Sequence, residues 1–125
     1  MAKKILFVDD EIEVVELVKA KLQNDGYEVV VSHTGREGVI QARAHLPDII
    51  LMDIVLPDMD GADAIKELHD HNATVGIPVI FLSGIVGGGQ DAELNVGGRS
   101  YQAVGKPFTY AQLKSRVEHT LKLTQ

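Results

Sequence analysis

The sequence predicts one α/β domain over residues 1–125, with an open sheet of five parallel strands and helices on both faces. Short apolar runs alternate along the chain with longer segments of helical periodicity. The apolar runs are continuous, as strands covered on both faces require. The 125 residues, 45% hydrophobic and 24% charged, are enough for a single core and are typical of a globular protein.

Five apolar runs rich in β-branched or large residues mark the predicted strands. They are Ile5–Val8, Val29–Val31, Ile49–Met52, Val79–Leu82 and the weaker Tyr101–Val104. Because such runs alternate with helical segments, we expect parallel strands joined by right-handed crossovers.

Helical periodicity fills the segments between these runs. The predicted helices cover residues 11–24, 35–45 and 62–71, followed by a last helix that opens at Thr109. Capping boxes predict two of the starts, with Thr34 and Glu37 in one and Thr109 and Gln112 in the other. The expected core residues of the helices are Ile12, Val15, Val18, Leu22, Ile65, Leu68, Leu113, Val117 and Leu121.

The segment between the fourth and fifth strands is rich in glycine. It holds seven of the twelve glycines of the chain, from Gly84 to Gly105. A glycine in a helix interior costs about 1 kcal/mol relative to alanine. We therefore expect the fourth helix to be short, near Gln90–Asn95, or mobile.

The composition excludes several function classes. Twelve Lys and Arg against eighteen Asp and Glu give a net charge of −6, whereas binders of nucleic acid or anionic membranes need clustered positive charge. The absence of cysteine excludes disulfides, thiolate catalysis and zinc sites built from Cys. The first apolar run is too short for a signal peptide or a membrane span, so we expect a mature cytoplasmic protein.

Chemically reactive side chains follow four of the predicted strands. These side chains are Asp9 and Asp10 after the first strand, Asp53 after the third, Ser83 after the fourth and Lys106 after the fifth. Ligands of open α/β sheets bind beyond the carboxyl ends of the strands. Carboxylates about 4 Å apart repel by roughly 4 kcal/mol, so they need a cation, and oxygen ligands without His or Cys suit Mg²⁺. Together with a lysine and a hydroxyl, the set is typical of a site that holds a phosphoryl group.

These residues belong to five short motifs. The motifs are Asp9-Asp10, Asp53 after its apolar run, Leu56-Pro57 with Met59-Asp60-Gly61, Ser83, and Lys106-Pro107-Phe108. In order and spacing, over essentially the whole chain, they resemble the receiver domain of two-component response regulators. The resemblance implies a flavodoxin-like fold with strand order 2-1-3-4-5. It also implies phosphoryl transfer from a sensor histidine kinase or a histidine phosphotransfer protein.

The resemblance implies a role for each matching residue. Asp53 would be the phosphoacceptor, Lys106 would neutralise charge on the transferring group, and Ser83 would move toward the phosphate. The peptide bond between Lys106 and Pro107 matches one that is cis in the family. Phosphoryl transfer depends chiefly on positioning and charge neutralisation, which these residue types supply.

The resemblance also implies Mg²⁺ as the cofactor. Asp10, Asp53 and the backbone carbonyl of Val55 would hold the ion directly. Asp9 would act largely through water.

Ala103 departs from the family pattern. The family usually places an aromatic residue three positions before the lysine, where it turns inward on activation. The nearest aromatic residue in this chain is Tyr101. Two interpretations stay open: Tyr101 takes the switch role through a local shift, or signalling uses another route.

Some of these residues also have purely structural interpretations. Asp10 could cap the first helix, with Glu13 at its third position, and Ser83 could be a turn residue. The five histidines form no predicted site, and we expect each to be solvated or to cap a helix. The convergence of the acidic residues with Lys106 favours the functional interpretation.

The sequence thus predicts a phosphorylatable signalling switch rather than an enzyme. Phosphorylation of Asp53 would change partner affinity at the face formed by the fourth helix, the fifth strand and the last helix. We expect the output to pass to a downstream protein target or to an effector domain outside this chain, and not directly to nucleic acid or a membrane. Two other functions stay open: a non-phosphorylated interaction module with a vestigial pocket, and a Mg²⁺-dependent phosphatase.

Overall fold

Strands and helices alternate along the chain up to the fourth strand. The computed structural model describes residues 2–84 and 91–123. Its elements in chain order are β1 (Lys4–Val8), α1 (Ile12–Asn24), β2 (Glu28–Ser32), α2 (Gly35–His45), β3 (Ile49–Asp53), α3 (Gly61–His69), β4 (Val79–Ser83), β5 (Asp91–Val96), β6 (Arg99–Gly105) and α4 (Tyr110–Leu123).

The strands form a single sheet in the order β2-β1-β3-β4-β6-β5. Its first five members are parallel neighbours, and β6 contains the predicted fifth strand. The predicted parallel order 2-1-3-4-5 is therefore confirmed for these five. The sheet gains a sixth strand, β5, which pairs antiparallel with β6 at the edge.

The predicted fourth helix is wrong for the residues that the structure describes. Residues 91–96 form the strand β5 instead, while Gln90 lies outside the described residues. Gly97 and Gly98 have φ angles of 58° and 83° and close a two-residue turn between β5 and β6. Positive φ at both central residues is the geometry of tight hairpin turns, and glycine adopts it without strain. These two glycines therefore form the turn of a hairpin, whereas the glycine content of the segment predicted only a weakened helix.

The core lies in two apolar layers, one on each face of the sheet. Helices α1 and α4 cover one face and α2 and α3 the other. All but one of the expected core residues of the helices are buried, namely Val15, Val18, Leu22, Ile65, Leu68, Leu113, Val117 and Leu121. Ile12, the first residue of α1, is 60% exposed.

Both predicted capping residues cap their helices, and the Thr109 pair forms the full reciprocal box. The Thr34 hydroxyl accepts a hydrogen bond from the Glu37 backbone N–H at 3.1 Å. At α4, the Gln112 N–H donates to the Thr109 hydroxyl at 3.2 Å, and the Thr109 N–H donates to the Gln112 side chain at 2.8 Å. None of the helices in the described part of the chain combines the length and the apolar character that a bilayer crossing needs.

Candidate functional site

Three carboxylates meet at the carboxyl ends of β1 and β3, which are neighbours in the sheet. Asp9, Asp10 and Asp53 each offer an oxygen within 4.8 Å of the others. Asp9 is fully buried, Asp53 is 6% exposed and Asp10 is exposed. The structure thus brings together the three acidic residues that the strand ends predicted, and two of them are withdrawn from water.

Lys106 supplies positive charge to this cluster from the end of β6. Its Nζ lies 2.9 Å from Asp9 Oδ2, 3.2 Å from Asp53 Oδ2 and 2.8 Å from Glu11 Oε1. The Lys106 backbone N–H donates to the Ser83 carbonyl at 2.8 Å, and the following bond to Pro107 is cis. The lysine is thereby anchored at its backbone, and its ammonium group reaches three carboxylates.

The electrostatics of Asp53 and Lys106 follow from this packing. Burial, helped by the negative charge of Asp9, raises the pKa of Asp53 above its usual 3.8. The charge and hydrogen bond of Lys106 and the N–H of Val55 oppose that rise. For Lys106, burial alone would lower the pKa, but hydrogen bonds to Glu11 and Asp9 and the charges of Asp9 and Asp53 raise it well above its usual value. Lys106 therefore remains a cation and helps to keep Asp53 ionised.

Glu11 is a site residue that sequence reasoning missed. It occupies the N-cap of α1 without a side-chain capping bond, and its N–H donates to Asp9 Oδ1 at 3.0 Å. Since Glu11 takes the N-cap position, the interpretation of Asp10 as the cap of the first helix is wrong. The only sequence signal for Glu11 was its position directly after the acidic pair.

The loop after β3 holds Asp53 in place. The Val55 N–H donates to Asp53 Oδ1 at 3.3 Å, while the Val55 side chain is 70% exposed. Gly61, the first residue of α3, donates its N–H to the Ile54 carbonyl at 2.7 Å. A Cβ atom at Gly61 would lie 2.2 Å from the Asp53 carbonyl oxygen. Only glycine therefore allows α3 to begin this close to the end of β3.

Asp58, in the same loop, caps the neighbouring helix. Its two carboxylate oxygens accept hydrogen bonds from the backbone N–H groups of Gly35 at 2.7 Å and Arg36 at 2.9 Å. The hydrogen bond from the backbone of Arg36 lowers the pKa of Asp58 below 3.8; burial opposes this shift, and the hydrogen bond from Gly35 supports it. The loop after Asp53 is thus fixed to the start of α2.

Ser83 lies at the rim of this site. It is the last residue of β4 and 2% exposed. Its neighbour Leu82 is aligned with Asp53 in the adjacent strand, and Ser83 itself is aligned with Gly105. Ser83 therefore lies at the same edge of the sheet as the acidic cluster.

Tyr101 and Ala103 both contribute to the apolar layer under α2 and α3. Ala103 is buried, and Tyr101 is half-buried. The Tyr101 hydroxyl lies 2.7 Å from the ring nitrogens of His69, and the two rings stack at 5.5 Å with an interplanar angle of 22°. Tyr101 also packs edge-on against Phe81, at 5.5 Å and 88°. Tyr101 is therefore held between β4 and α3 in this structure.

Two histidines differ from the expectation that each is solvated or capping. His69 is half-buried against Tyr101, and burial, with the positive charge of Arg99, lowers its pKa below 6.5 against the opposing charge of Asp70. His33 Nδ1 lies 2.9 Å from the backbone oxygen of Asp9. Both contacts are tertiary, between residues at least 24 positions apart, so helical periodicity gives no signal for them.

A groove of about 680 Å³ runs beside the site between α1 and the start of α4. Its lining is mostly apolar and includes Val14, Leu17 and Phe108, with Glu11 and Lys106 also among the lining residues. Leu17 is 59% exposed. The groove therefore joins an exposed apolar surface to the charged site.

Comparison with known proteins assigns the chain to one family. The family model described as "Response regulator receiver domain" matches residues 5–118. The alkaline phosphatase synthesis transcriptional regulatory protein PhoP of Bacillus subtilis is 31% identical over an alignment that covers 100% of this chain and 51% of PhoP. The chain spans about half the length of several curated relatives that it matches.

Solved structures show the same fold. The receiver domain of sensor histidine kinase PA1611 from Pseudomonas aeruginosa, which has a magnesium ion coordinated in its active-site cleft, superposes with a TM-score of 0.81. It is 26% identical, and the match covers 98% of this chain and 99% of that one. The chemotaxis response regulator CheY4 of Vibrio cholerae superposes with a TM-score of 0.79 at 26% identity, over 95% of this chain and 98% of CheY4.

Proposed function

The chain belongs to the family of response regulator receiver domains, and we propose that its phosphoacceptor is Asp53. Receiver domains act as phosphoacceptor switches, and phosphorylation of an aspartate is the general mechanism of the family. The observation that carries the assignment is the 3.2 Å contact between Asp53 Oδ2 and the Lys106 ammonium, beside the carboxylates of Asp9 and Asp10. Lys106 helps to keep Asp53 in the ionised form that attacks phosphorus.

The proposed reaction is transfer from the phosphohistidine of a sensor histidine kinase or a phosphotransfer protein. A carboxylate oxygen of Asp53 attacks the phosphorus atom, and the bond between phosphorus and the imidazole nitrogen breaks. The electron pair of that bond stays on the imidazole, and Asp53 becomes an acyl phosphate. Lys106 then neutralises a phosphoryl oxygen, and Ser83 donates a hydrogen bond to another. In this proposal the chain catalyses at most its own phosphorylation and dephosphorylation.

The donor set of the site fits Mg²⁺. The three clustered carboxylates supply hard oxygen ligands, and two of them are buried, where they need a compensating cation. Asp10 and Asp53, with the backbone carbonyl of Val55, would hold the ion, and Asp9 would act largely through water. When bound, the ion supplies charge neutralisation to the carboxylates and to the incoming phosphoryl oxygens. The magnesium in the cleft of the PA1611 receiver domain supports this proposal.

The groove between α1 and α4 is the proposed docking site for the phosphoryl donor. Its exposed apolar residues, Leu17 among them, lie next to Lys106 and Glu11. An amphipathic helix laid into such a groove buries its apolar face and can present a phosphohistidine beside the carboxylates. Docking in this groove would place the phosphoryl donor on the same side of the molecule as Asp53 and Lys106.

The output face differs from the one that the sequence predicted. Within residues 91–123, the hairpin of β5 and β6 takes the place of the expected fourth helix, so the proposed face consists of β5, β6 and α4. Tyr101 lies on β6, and a shift of this residue on phosphorylation would have to release its contact with His69. The downstream protein target, or an effector domain outside this chain, would recognise the altered hairpin.

Mass spectrometry after incubation with acetyl phosphate and Mg²⁺ tests the phosphoacceptor. We expect a gain of one phosphoryl group, lost in Asp53→Asn and in samples with a chelator. Asp63→Asn, an exposed acidic residue of α3, is the matched control and should be phosphorylated like the parent chain. A full gain in Asp53→Asn, or none in the parent chain, would contradict the proposal.

Comparing two phosphoryl donors tests the docking groove. Leu17→Glu should slow transfer from the cognate kinase or phosphotransfer protein but leave the reaction with acetyl phosphate unchanged. Ile40→Glu on α2 is the matched control, because Ile40 is 56% exposed and Leu17 is 59% exposed. Equal slowing by the two variants with the protein donor would exclude the groove as the docking site.

A further inference from the structure

Among the described residues, the outer edge of the sheet at β5 is open. In residues 2–84 and 91–123, no strand pairs with the side of β5 that faces away from β6. The opposite edge strand, β2, is packed by α1 and α2, whereas the extensive contacts of β5 with described elements are those with β6. An open edge presents unpaired backbone N–H and C=O groups to any strand that approaches it.

The strand β5 carries two acidic residues, Asp91 and Glu93, but lacks other features that protect an edge. Its sequence, DAELNV, contains no proline or lysine. Its six pairs with β6 run without interruption from Asp91↔Val104 to Val96↔Arg99, so there is no bulge. Natural sheets use such features to prevent pairing between edges. The edge is therefore regular enough to accept a further strand.

The backbone groups of alternate residues point outward. The pair that closes a two-residue hairpin turn exchanges both of its backbone hydrogen bonds, and the pattern alternates from there. Val96 and Arg99 form the closing pair. Ala92, Leu94 and Val96 consequently bond toward β6, while Glu93 and Asn95 direct their N–H and C=O groups to the open side.

We propose that β5 pairs antiparallel with β5 of a second copy of this chain, with the two-fold axis at Leu94. In this register Leu94 lies opposite Leu94 of the second copy, and Ala92 lies opposite Val96. All three belong to the half-buried apolar row beside α3. On the other face, the exposed carboxylate of Glu93 lies opposite the exposed amide of Asn95. The two open edges are thus complementary to themselves.

The neighbouring registers are less favourable. Centring the axis on Glu93 places two carboxylates directly opposite each other, which destabilises a strand pair. Centring it on Asn95 places Glu93 opposite the turn residue Gly97, so fewer strand residues pair. Of these three registers, the one centred on Leu94 pairs residues 92–96 of one copy with residues 92–96 of the other. It places no two like charges opposite each other. The interface contains no residue of the acidic site, so it stands independently of the proposed phosphoacceptor.

Analytical ultracentrifugation of the full, unphosphorylated chain tests the charge complementarity. Asn95→Lys brings a cation opposite Glu93 twice per dimer and should tighten association. Asn95→Glu places a carboxylate opposite Glu93 twice per dimer and should weaken association. We expect the dissociation constant to fall roughly tenfold in Asn95→Lys and to rise roughly tenfold in Asn95→Glu. Ala44→Lys and Ala44→Glu, exposed on α2, make the same charge changes elsewhere and should leave the constant unchanged. A monomer at every concentration, or equal effects at the two positions, would overturn the proposal.

Cross-linking tests the register. The chain contains no cysteine, so Leu94→Cys introduces a single thiol. Residues opposite each other across the two-fold axis are roughly 4.5–5.5 Å apart at Cα, within reach of a disulfide. Under mild oxidation Leu94→Cys should give a covalent dimer rapidly. Asn95→Cys should not, since its two copies would lie beyond about 7 Å. Faster cross-linking of Asn95→Cys would exclude this register, and cross-linking of neither variant would exclude the dimer.

Discussion

The hydroxyl of Tyr101 lies 2.7 Å from the ring nitrogens of His69, and this contact joins the β6 strand to the last turn of α3. Tyr101 lies five residues before Lys106 on the same strand and loop. His69 belongs to the helix that begins at Gly61, against the backbone of Asp53. The contact therefore links two elements that both lead to the reactive site.

Acidification should weaken the fold through His69. Burial and Arg99 lower its pKa in the folded chain, so the folded state binds this proton less readily than the unfolded state, whose value is near 6.5. The stabilising contribution is present above that pH and is lost as the pH falls through the lower folded value. Urea titrations between neutral and acidic pH should show this loss in the parent chain and a smaller one in His69→Gln.

His119→Gln, on the exposed side of α4, makes the same substitution away from the Tyr101 contact and is the matched control. Tyr101→Phe removes the hydroxyl and should lower the free energy of unfolding by about 1 kcal/mol at neutral pH. An unchanged pH profile in His69→Gln would show that the destabilisation by acid comes from other groups.

The sequence predicted the reactive site better than the hairpin beside it. Asp9, Asp53 and Lys106 follow predicted strands, and parallel strands bring such residues to one edge whatever the helices do. The residues of β5 include Ala, Glu and Leu, which are good helix formers, so local propensity favoured a helix. The pair Gly97-Gly98 was the available signal for a hairpin turn. Residues 91–96 form a strand because they pair with β6, and local propensity does not reveal that pairing.

Contacts between distant segments could not be predicted from periodicity. Asp58 caps a helix that starts 23 residues earlier in the chain, and the Tyr101 contact with His69 spans 32 residues. Neither partner carries a local pattern that identifies the other. The same holds for Glu11, because the order of β1, β3, β4 and β6 in the sheet, and not spacing along the chain, brings it to Lys106.

Removing the Asp58 carboxylate should destabilise α2. Asp58→Ala leaves the backbone N–H groups of Gly35 and Arg36 without their acceptors, and the loss of such a cap costs about 1 kcal/mol. The pKa of Asp58 is lowered in the folded chain, so its contribution is present above pH 3.8 and is lost as the pH falls through the lower folded value. Denaturant titration at neutral pH measures the difference.

Asp58→Asn provides the graded comparison, because its amide retains one acceptor oxygen. We expect its loss of stability to lie between those of the parent and Asp58→Ala. If all three chains unfold at the same urea concentration, the two hydrogen bonds do not contribute to stability.

Replacing Lys106 by methionine should destabilise the folded chain strongly. Asp9 is fully buried and Asp53 nearly so, and the substitution leaves both without their cation. Removing one partner of a buried ion pair costs on the order of 3 kcal/mol, measurable as a fall in the free energy of unfolding. The double variant Lys106→Met with Asp53→Asn should recover part of the loss, since one buried charge is then absent. Additive losses in the double variant would show that Lys106 and Asp53 do not interact.

Adding one methyl group at Gly61 should disturb the phosphoacceptor without touching its side chain. The new Cβ would lie 2.2 Å from the Asp53 carbonyl oxygen and 3.0 Å from Met52 Cγ, so the backbone at the end of β3 must move. Overpacking of this kind costs about 1–3 kcal/mol, and the displaced carboxylate should react more slowly with acetyl phosphate. Gly76→Ala is the control, because a Cβ there meets no atom within 4 Å. Parent-like stability and phosphorylation of Gly61→Ala would show that the start of α3 can move away from Asp53 at little cost.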